Sequence, residues 1–287
     1  MAYSNSMEKD SKTILVPWDF SPMAENALIH AERIARTLDK KIELLHVVKK
    51  DEEIAQAESQ MISVTEEAFV KYGVKPVYKV LKGSIFSKIS NYASDSKANM
   101  VIMGTHGIKG IQKFTGSYAL KVLLGSKVPF IVVQDKPRSE DKLSNIVFPI
   151  DFRSENKEKL YWAIFLGKYF NSQVHLFKYP VTDPSLVKKV NTNLNFAIRF
   201  LIQNGLNYQI HNAQKGDFGK ETIKFSQELN ADLILIVTTK NLSIFDFLFG
   251  TREQYIIANS AKIPVMVVNP RASVTSMGQF MFGATGY

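Results

Sequence analysis

Two copies of one segment, laid end to end, constrain this chain more than any other feature. Thr13-Ile-Leu-Val-Pro17-Trp-Asp19-Phe20 returns as Asn145-Ile-Val-Phe-Pro149-Ile-Asp151-Phe152, with proline and aspartate both displaced by 132 positions. Lys82-Gly83 returns as Lys215-Gly216 at 133, Gly116-Ser117 as Gly250-Thr251 at 134, and Val128-Pro129 as Ile263-Pro264 at 135. Chance matches of short motifs do not keep such order and phase, whereas a duplicated domain does. The 287 residues therefore divide into an N-terminal tail over 1–11, a first domain over 12–138, a second over 139–270 and a C-terminal tail over 271–287. The junction, Asp135-Lys-Pro137-Arg-Ser-Glu-Asp-Lys142, is polar, charged and broken by a proline, as linkers are.

Within each copy the hydrophobic period alternates between strand and helix. In the first copy, strands are expected over 12–16, 41–48, 74–81, 99–103 and 129–134. Helices are expected over 21–38, 51–72, 84–96 and 117–124, with a glycine-bearing loop over 104–116. Ser21 followed by Pro22 reads as an N-cap and first helical residue. The second copy places strands near 145–149, 173–178, 206–212, 232–237 and 264–268, and helices near 154–170, 184–204, 218–229 and 251–260. Strands separated by helices imply right-handed parallel βαβ units covered on both faces. The fold class is α/β: two tandem, open, doubly wound five-stranded parallel sheets of Rossmann-like form. In such sheets ligands sit beyond the carboxyl ends of the strands, where the strand order reverses.

Composition removes several chemistries. No cysteine is present, which excludes disulfide scaffolds, thiolate nucleophiles and thiolate metal sites and suits a reducing, cytoplasmic setting. No apolar run reaches membrane-spanning length, and the first ten residues do not read as a signal peptide. The net charge of +9 is spread in pairs such as Lys40-Lys41 and Lys188-Lys189, without a long basic run, so a solvated surface is expected and not a nucleic-acid partner. The histidines lack zinc-site spacing, so no metal site is expected. Neither a Walker loop nor a Gly-x-Ser-x-Gly elbow occurs, and no catalytic residue is assigned.

What remains gathers at the strand ends of the first copy: Pro17-Trp18-Asp19, then Val47, then Met103-Gly104-Thr-His106-Gly107 and, beyond it, Gly116-Ser117. Gly104 and Gly107 would let backbone N–H groups approach an anion closely, and Gly116-Ser117 would open a helix whose unpaired N–H groups face a phosphate. Asp19 could accept hydrogen bonds from a sugar hydroxyl or base amine.

In that ordered set both copies resemble the universal stress protein domain, an adenine nucleotide alpha hydrolase-like fold, over about 12–135 and 144–270. The resemblance implies an adenine nucleotide, foremost ATP, in the first domain, with Mg²⁺ only when nucleotide is bound. It implies Pro17, Trp18 and Asp19 at base and sugar, Val47 beside the adenine, and Met103 and Gly104 at the end of the fourth strand. His106, Gly107, Gly116, Ser117 and Tyr118 would meet the phosphates. Two departures stand out. Only eight residues separate Gly107 from Gly116, one fewer than in the family's ATP-binding pattern, and the large Trp18 stands where a smaller residue is usual.

The second copy reads Thr238-Thr239-Lys240-Asn241 at the glycine positions, followed by an apolar stretch through Phe249, so it is expected to bind no nucleotide, with Asp151 a relic or a local cap. The resemblance also implies antiparallel pairing of 129–134 with 264–268 inside one chain. The apolar 244–249 segment is a candidate contact for a homodimer. Three functions are compatible with the sequence: a nucleotide-binding stress-response module, a weak ATP hydrolase using the Gly104–Ser117 loop, and a ligand-free interaction module.

Overall fold

The computed structural model describes residues 13–105, 122–123, 126–138, 143–153, 156–238 and 252–269. The first half of the chain forms β1 (Thr13–Pro17), α1 (Pro22–Leu38), β2 (Lys41–Val48), α2 (Ile54–Tyr72), β3 (Val77–Lys82), α3 (Ile85–Asp95), β4 (Met100–Gly104) and β5 (Phe130–Val133). The second half forms β6 (Asn145–Ile150), α4 (Asn156–Phe170), β7 (Gln173–Lys178), α5 (Pro184–Gln203), β8 (Tyr208–Asn212), α6 (Phe218–Glu228), β9 (Leu233–Val237), α7 (Arg252–Ile257) and β10 (Val265–Val268). Both tails, most of the 104–116 loop and the apolar 244–249 segment lie outside the described residues. Of the helix expected over 117–124, Val122 and Leu123 are described and are helical.

The helix starts follow from local chemistry. Ser21 Oγ accepts from the Ala24 N–H at 3.2 Å with Pro22 in the first turn. At the second helix of the other half, Asp183 Oδ1 likewise accepts from Ser185 N and Leu186 N ahead of Pro184 in α5. Each supplies an acceptor to otherwise unpaired first-turn donors. Two boundaries differ from the sequence reading. The strand expected from Val74 begins at Val77, because Pro76 has no N–H to give a ladder. The acidic run before α2 forms a 3-10 turn, Asp51–Glu53, in which the Glu53 carboxylate accepts the N–H groups of Lys49 and Lys50.

All described strands form one ten-stranded sheet, in the order β3-β2-β1-β4-β5-β10-β9-β6-β7-β8. The order reads the same from either edge once the halves are exchanged. Every neighbouring pair is parallel except β5 with β10, which run antiparallel with Val132 opposite Val265, Ile131 opposite Met266 and Phe130 opposite Val267.

Helices cover both faces. On one face, α1, α2, α4 and α5 pack over Ile14, Val16, Leu44, Ile131, Phe148, Leu176 and Met266. On the other, α3, α6 and α7 pack over Leu15, Leu45, Val101, Phe130, Val147, Ile234 and Val265. Small residues on α1, including Ala24, Ala27 and Ala31, are fully buried and bring that helix close to the sheet.

Two buried histidines belong to this framework. His30 on α1 donates from Nε2 to the Asp135 carbonyl at 3.0 Å, and burial pushes its pKa from 6.5 down to about 4. His175 on β7 lies 3.1 Å from Asn145 Oδ1 through Nε2 and 3.1 Å from His211 Nε2 through Nδ1. Since the amide oxygen only accepts, neutral His175 carries its proton on Nε2, and its bare Nδ1 accepts a hydrogen bond from the Nε2–H of His211. Burial, aided by the His211 neighbour, lowers the His175 pKa to about 4, and burial lowers that of His211. The unfolded chain therefore binds protons between pH 6.5 and 4 that the folded chain refuses, so the stability these groups supply is complete above about pH 6.5 and lost as the pH falls through 4. Denaturant titrations at stepwise pH are expected to show that loss. His30→Gln, which keeps the donor to Asp135, is expected to remove roughly 3 kcal/mol of it. An unchanged slope for the variant would show that His30 is not held neutral.

Candidate nucleotide site at the reversal of strand order

In the first half the strand order reverses between β1 and β4. Their ladder runs over Ile14 opposite Met100 and Leu15 opposite Val101. It then stops, although β1 continues to Pro17 and β4 to Gly104. The two strands thus part at their carboxyl ends, and the crevice between them is bounded by Pro17 on one side and Met103 and Gly104 on the other.

The chain leaves β1 through a fixed turn. The Trp18 N–H donates to the Leu45 carbonyl at 2.9 Å, and the Trp18 carbonyl accepts from His46 Nδ1 at 2.8 Å. Asp19 is exposed, and its Oδ1 accepts from the Ser21 N–H at 3.0 Å. Phe20 between them is held at φ 62°, a left-handed conformation that costs a bulky residue of order 1–3 kcal/mol. Its ring packs on His46 at a centroid distance of 4.8 Å and edge-on to Trp18 at 6.5 Å, contacts that offset part of that cost. Neither Phe20 nor His46 was picked out by the sequence reading for this turn. Their contacts join the β1 exit to the end of β2 and are not signalled by any motif.

The sequence-predicted residues fall on two faces of the sheet. Trp18 continues the Ile14-Val16 face, is only 9% exposed and packs with α1 and α2. Its indole lines a cleft of about 250 Å³ with Phe20, Glu25, Val64, Lys71 and Tyr72, on the helical layer beside the crevice. There Tyr72 donates to Glu25 at 2.8 Å, holding the Glu25 carboxyl below its ordinary pKa, while burial and that carboxylate push the Tyr72 phenol up to about 12. Trp18 is therefore framework whose peptide groups are both engaged. Val47 and the buried Met103 lie on the opposite face, against the α3 layer. His106, Gly107, Gly116, Ser117 and Tyr118 lie outside the described residues.

Gly104 has a packing role beside the one its place in a loop motif suggests. A Cβ built on it would stand 2.0 Å from the Met23 carbonyl oxygen and 2.4 Å from the Met23 carbonyl carbon. The missing side chain lets the first turn of α1 close on the end of β4. Among the described residues no group of three or more His, Cys, Asp or Glu side chains could hold a metal.

A sequence profile of the universal stress protein family matches residues 11–134. A universal stress protein of Methanocaldococcus jannaschii is 30% identical over 145 residues, which cover 45% of this chain and 85% of the relative. The chain belongs to the universal stress protein family. Its architecture is similar to the crystal structure of a universal stress protein from Archaeoglobus fulgidus, with a TM-score of 0.74 over 92% of this chain and 98% of that one at 17% identity. A protein of unknown function from Pseudomonas aeruginosa is similar over 98% of this chain and 100% of its own, with a TM-score of 0.62 at 16% identity. At such identities these two likenesses concern the fold.

The second half of this universal stress protein keeps the crevice and fills its mouth differently. The β6 ladder with β9 likewise stops after Val147 opposite Ile234, while β6 runs on to Ile150. Asp151 repeats the turn of Asp19, accepting the Arg153 N–H at 3.0 Å, but it is buried and its second oxygen takes the Arg153 guanidinium at 2.7 Å. Asn193 of α5 closes over the turn, donating to the carbonyls of Asp151 and Arg153. The ladder also corrects the alignment of the repeats. Met100 and Leu233 occupy matching positions, so the counterpart of Gly104 is Val237, and Thr238 matches Thr105.

Gly104→Ala tests the packing role. Forcing a methyl against backbone is expected to destabilise the nucleotide-free protein by about 3 kcal/mol or more in urea denaturation. A loss below about 0.5 kcal/mol, the range of an ordinary surface change, would show that the α1–β4 approach is not tight.

Proposed function

We propose that this universal stress protein is a stress-response module, not a housekeeping catalyst, whose first domain (12–138) binds an adenine nucleotide, foremost ATP, at the crevice between β1 and β4. The second domain (139–270) keeps the fold without the ligand. The observation that carries this reading is the parting of β1 and β4 at the reversal of strand order, where doubly wound sheets receive their ligands. Pro17 and the exposed Asp19 flank it from β1, and Met103 and Gly104 from β4. Asp19 keeps a carboxylate at the surface for ribose hydroxyls, while Val47 and Met103 offer apolar surface to the base. Following the family pattern, His106, Gly107, Gly116, Ser117 and Tyr118 supply phosphate contacts, and Mg²⁺ enters with the phosphates.

The contrast between halves supports a single site. Asp19 is exposed with no ion pair to a neighbouring arginine in its turn, whereas Asp151 is neutralised by Arg153 and covered by Asn193. A ribose reaching Asp151 would have to displace a partly buried ion pair, and breaking such a pair is costly. Cytoplasmic residence fits a chain without cysteine, and no helix among the described residues is long and apolar enough to cross a membrane.

Calorimetric titration with ATP, ADP and AMP, with and without Mg²⁺, is expected to show one site per chain. Gly107→Val or Gly116→Val is expected to abolish it, and Asp19→Asn to weaken it by about tenfold, the worth of one charge-assisted hydrogen bond. Absence of saturable binding at millimolar ATP would sink the nucleotide reading. ADP formed from Mg²⁺–ATP above the level of a Ser117→Ala control would point to a hydrolase instead.

A further inference from the structure

The residues that follow the two central strands form a reciprocal clasp. Gln134, next after β5, and Asn269, next after β10, hold equivalent places in the two halves. Gln134 Nε2 crosses to the second half and donates to the carbonyls of Ile257 at 3.3 Å and Asn259 at 3.1 Å, at the end of α7. Asn269 Nδ2 crosses the other way and donates to the carbonyls of Leu123 and, at 2.9 Å, Ser126. Carbonyls at and beyond a helix end have spare acceptor capacity, and each amide bridges two of them in the other half, among them Leu123, which also takes the Ser126 N–H, and Asn259, which also takes the Lys262 N–H.

Asn269 does more than its counterpart among the bonds seen here. Its Oδ1 accepts from Thr238 Oγ1 at 2.7 Å, and the Thr238 N–H is itself anchored to the Val268 carbonyl at 3.0 Å. A continuous path leads on into the first half. Asn269 holds the Ser126 carbonyl, and Ser126 Oγ both donates to the Val128 carbonyl at 2.9 Å and accepts from the Val128 N–H at 3.0 Å. The next residue, Pro129, accepts from the Val101 N–H at 2.9 Å, three positions before Gly104 on β4. Every link in this path joins described residues, and the path ends on the strand that bounds the crevice.

We propose that Asn269 is a positioning residue for the nucleotide site of the first half, supplied from the second half, a role that rests on the nucleotide reading above. It fixes Leu123, Ser126 and, through Ser126, Val128 ahead of β5, and thereby the register in which β5 flanks the end of β4. Gln134 makes the mirror-image clasp on the half whose Asp151 is already sealed by Arg153. The consequence is crossed: the amide in the second half governs affinity in the first, while the amide in the first half does not.

Asn269→Asp is isosteric and keeps the acceptor for Thr238, but it replaces the donors with an oxygen facing two carbonyls. It is expected to weaken ATP binding by about tenfold and to speed hydrogen exchange at the amides of Leu123 and Val128. Gln134→Glu is expected to speed exchange at Asn259 and Ile263 and leave ATP affinity within about twofold. Thr238→Val, which deletes one hydroxyl bond, gives a second measurement should Asn269→Asp not fold, with a loss of about threefold. Urea denaturation of the three variants separates affinity from general stability.

Wild-type affinity retained in Asn269→Asp, or in Thr238→Val where the first does not fold, would overturn the assignment. So would a loss in Gln134→Glu equal to that in Asn269→Asp, which would make the clasps mere struts. If the wild-type chain bound no ATP at all, the nucleotide reading would fall and take this role with it, whereas binding that ignores Asn269 would remove the role alone.

Discussion

The antiparallel contact between β5 and β10 is the constraint on which the rest of the structure depends. Each strand is four residues long, apolar and buried on both faces, so neither can end a sheet in water. A bare edge of this kind presents unpaired peptide groups beside hydrophobic side chains, the usual invitation to aggregation. Pairing them merges two five-stranded units into one sheet and makes each helical layer continuous across the join. Ile131 and Met266 then belong to one layer and Phe130 and Val265 to the other, each such side chain contributing about 1.5–3 kcal/mol of burial before conformational entropy is counted. The sheet instead ends in water at β3 and β8, whose residues are half-buried or exposed.

Much of this was legible in the sequence because its signals are local. The alternation of apolar runs, the Ser21-Pro22 cap and the repeat itself locate the strands and helices, including the four-residue β5 and β10. Boundaries moved where backbone chemistry intervenes, as at Pro76. The site was legible only in outline. Pro17 and Gly104 end the two strands that part, while Trp18 turns to the helical layer, because alternation along β1 puts it on the same face as Ile14 and Val16. No linear pattern reveals that Phe20 folds back on His46, or that Asn193 seals Asp151, since both are contacts between elements far apart in the chain.

Gly104 shows how one residue can carry two readings. A glycine in a loop motif suggests a backbone bared for an anion. Its surroundings show a backbone bared for another backbone, the first turn of α1. These uses are compatible in space, because closing α1 onto β4 also brings a helix N-terminus, with its positive dipole end, to the mouth of the crevice. Ladder register was needed to see that the second half carries Val237 there, since the repeat offset drifts along the chain and places Thr238 opposite Gly104 when motifs alone are aligned.

When two identical subunits meet through an isologous edge, every substitution is made twice and both sites change together. Here the partner strand is part of the same polypeptide, so the β5–β10 contact forms at a fixed effective concentration whatever the abundance of the protein. It also releases the two strand-end turns from shared fate. Arg153 could close one carboxylate while Asp19 stayed open. A covalent join between the halves is thus what permits this molecule to be symmetric in its skeleton and one-sided in its chemistry.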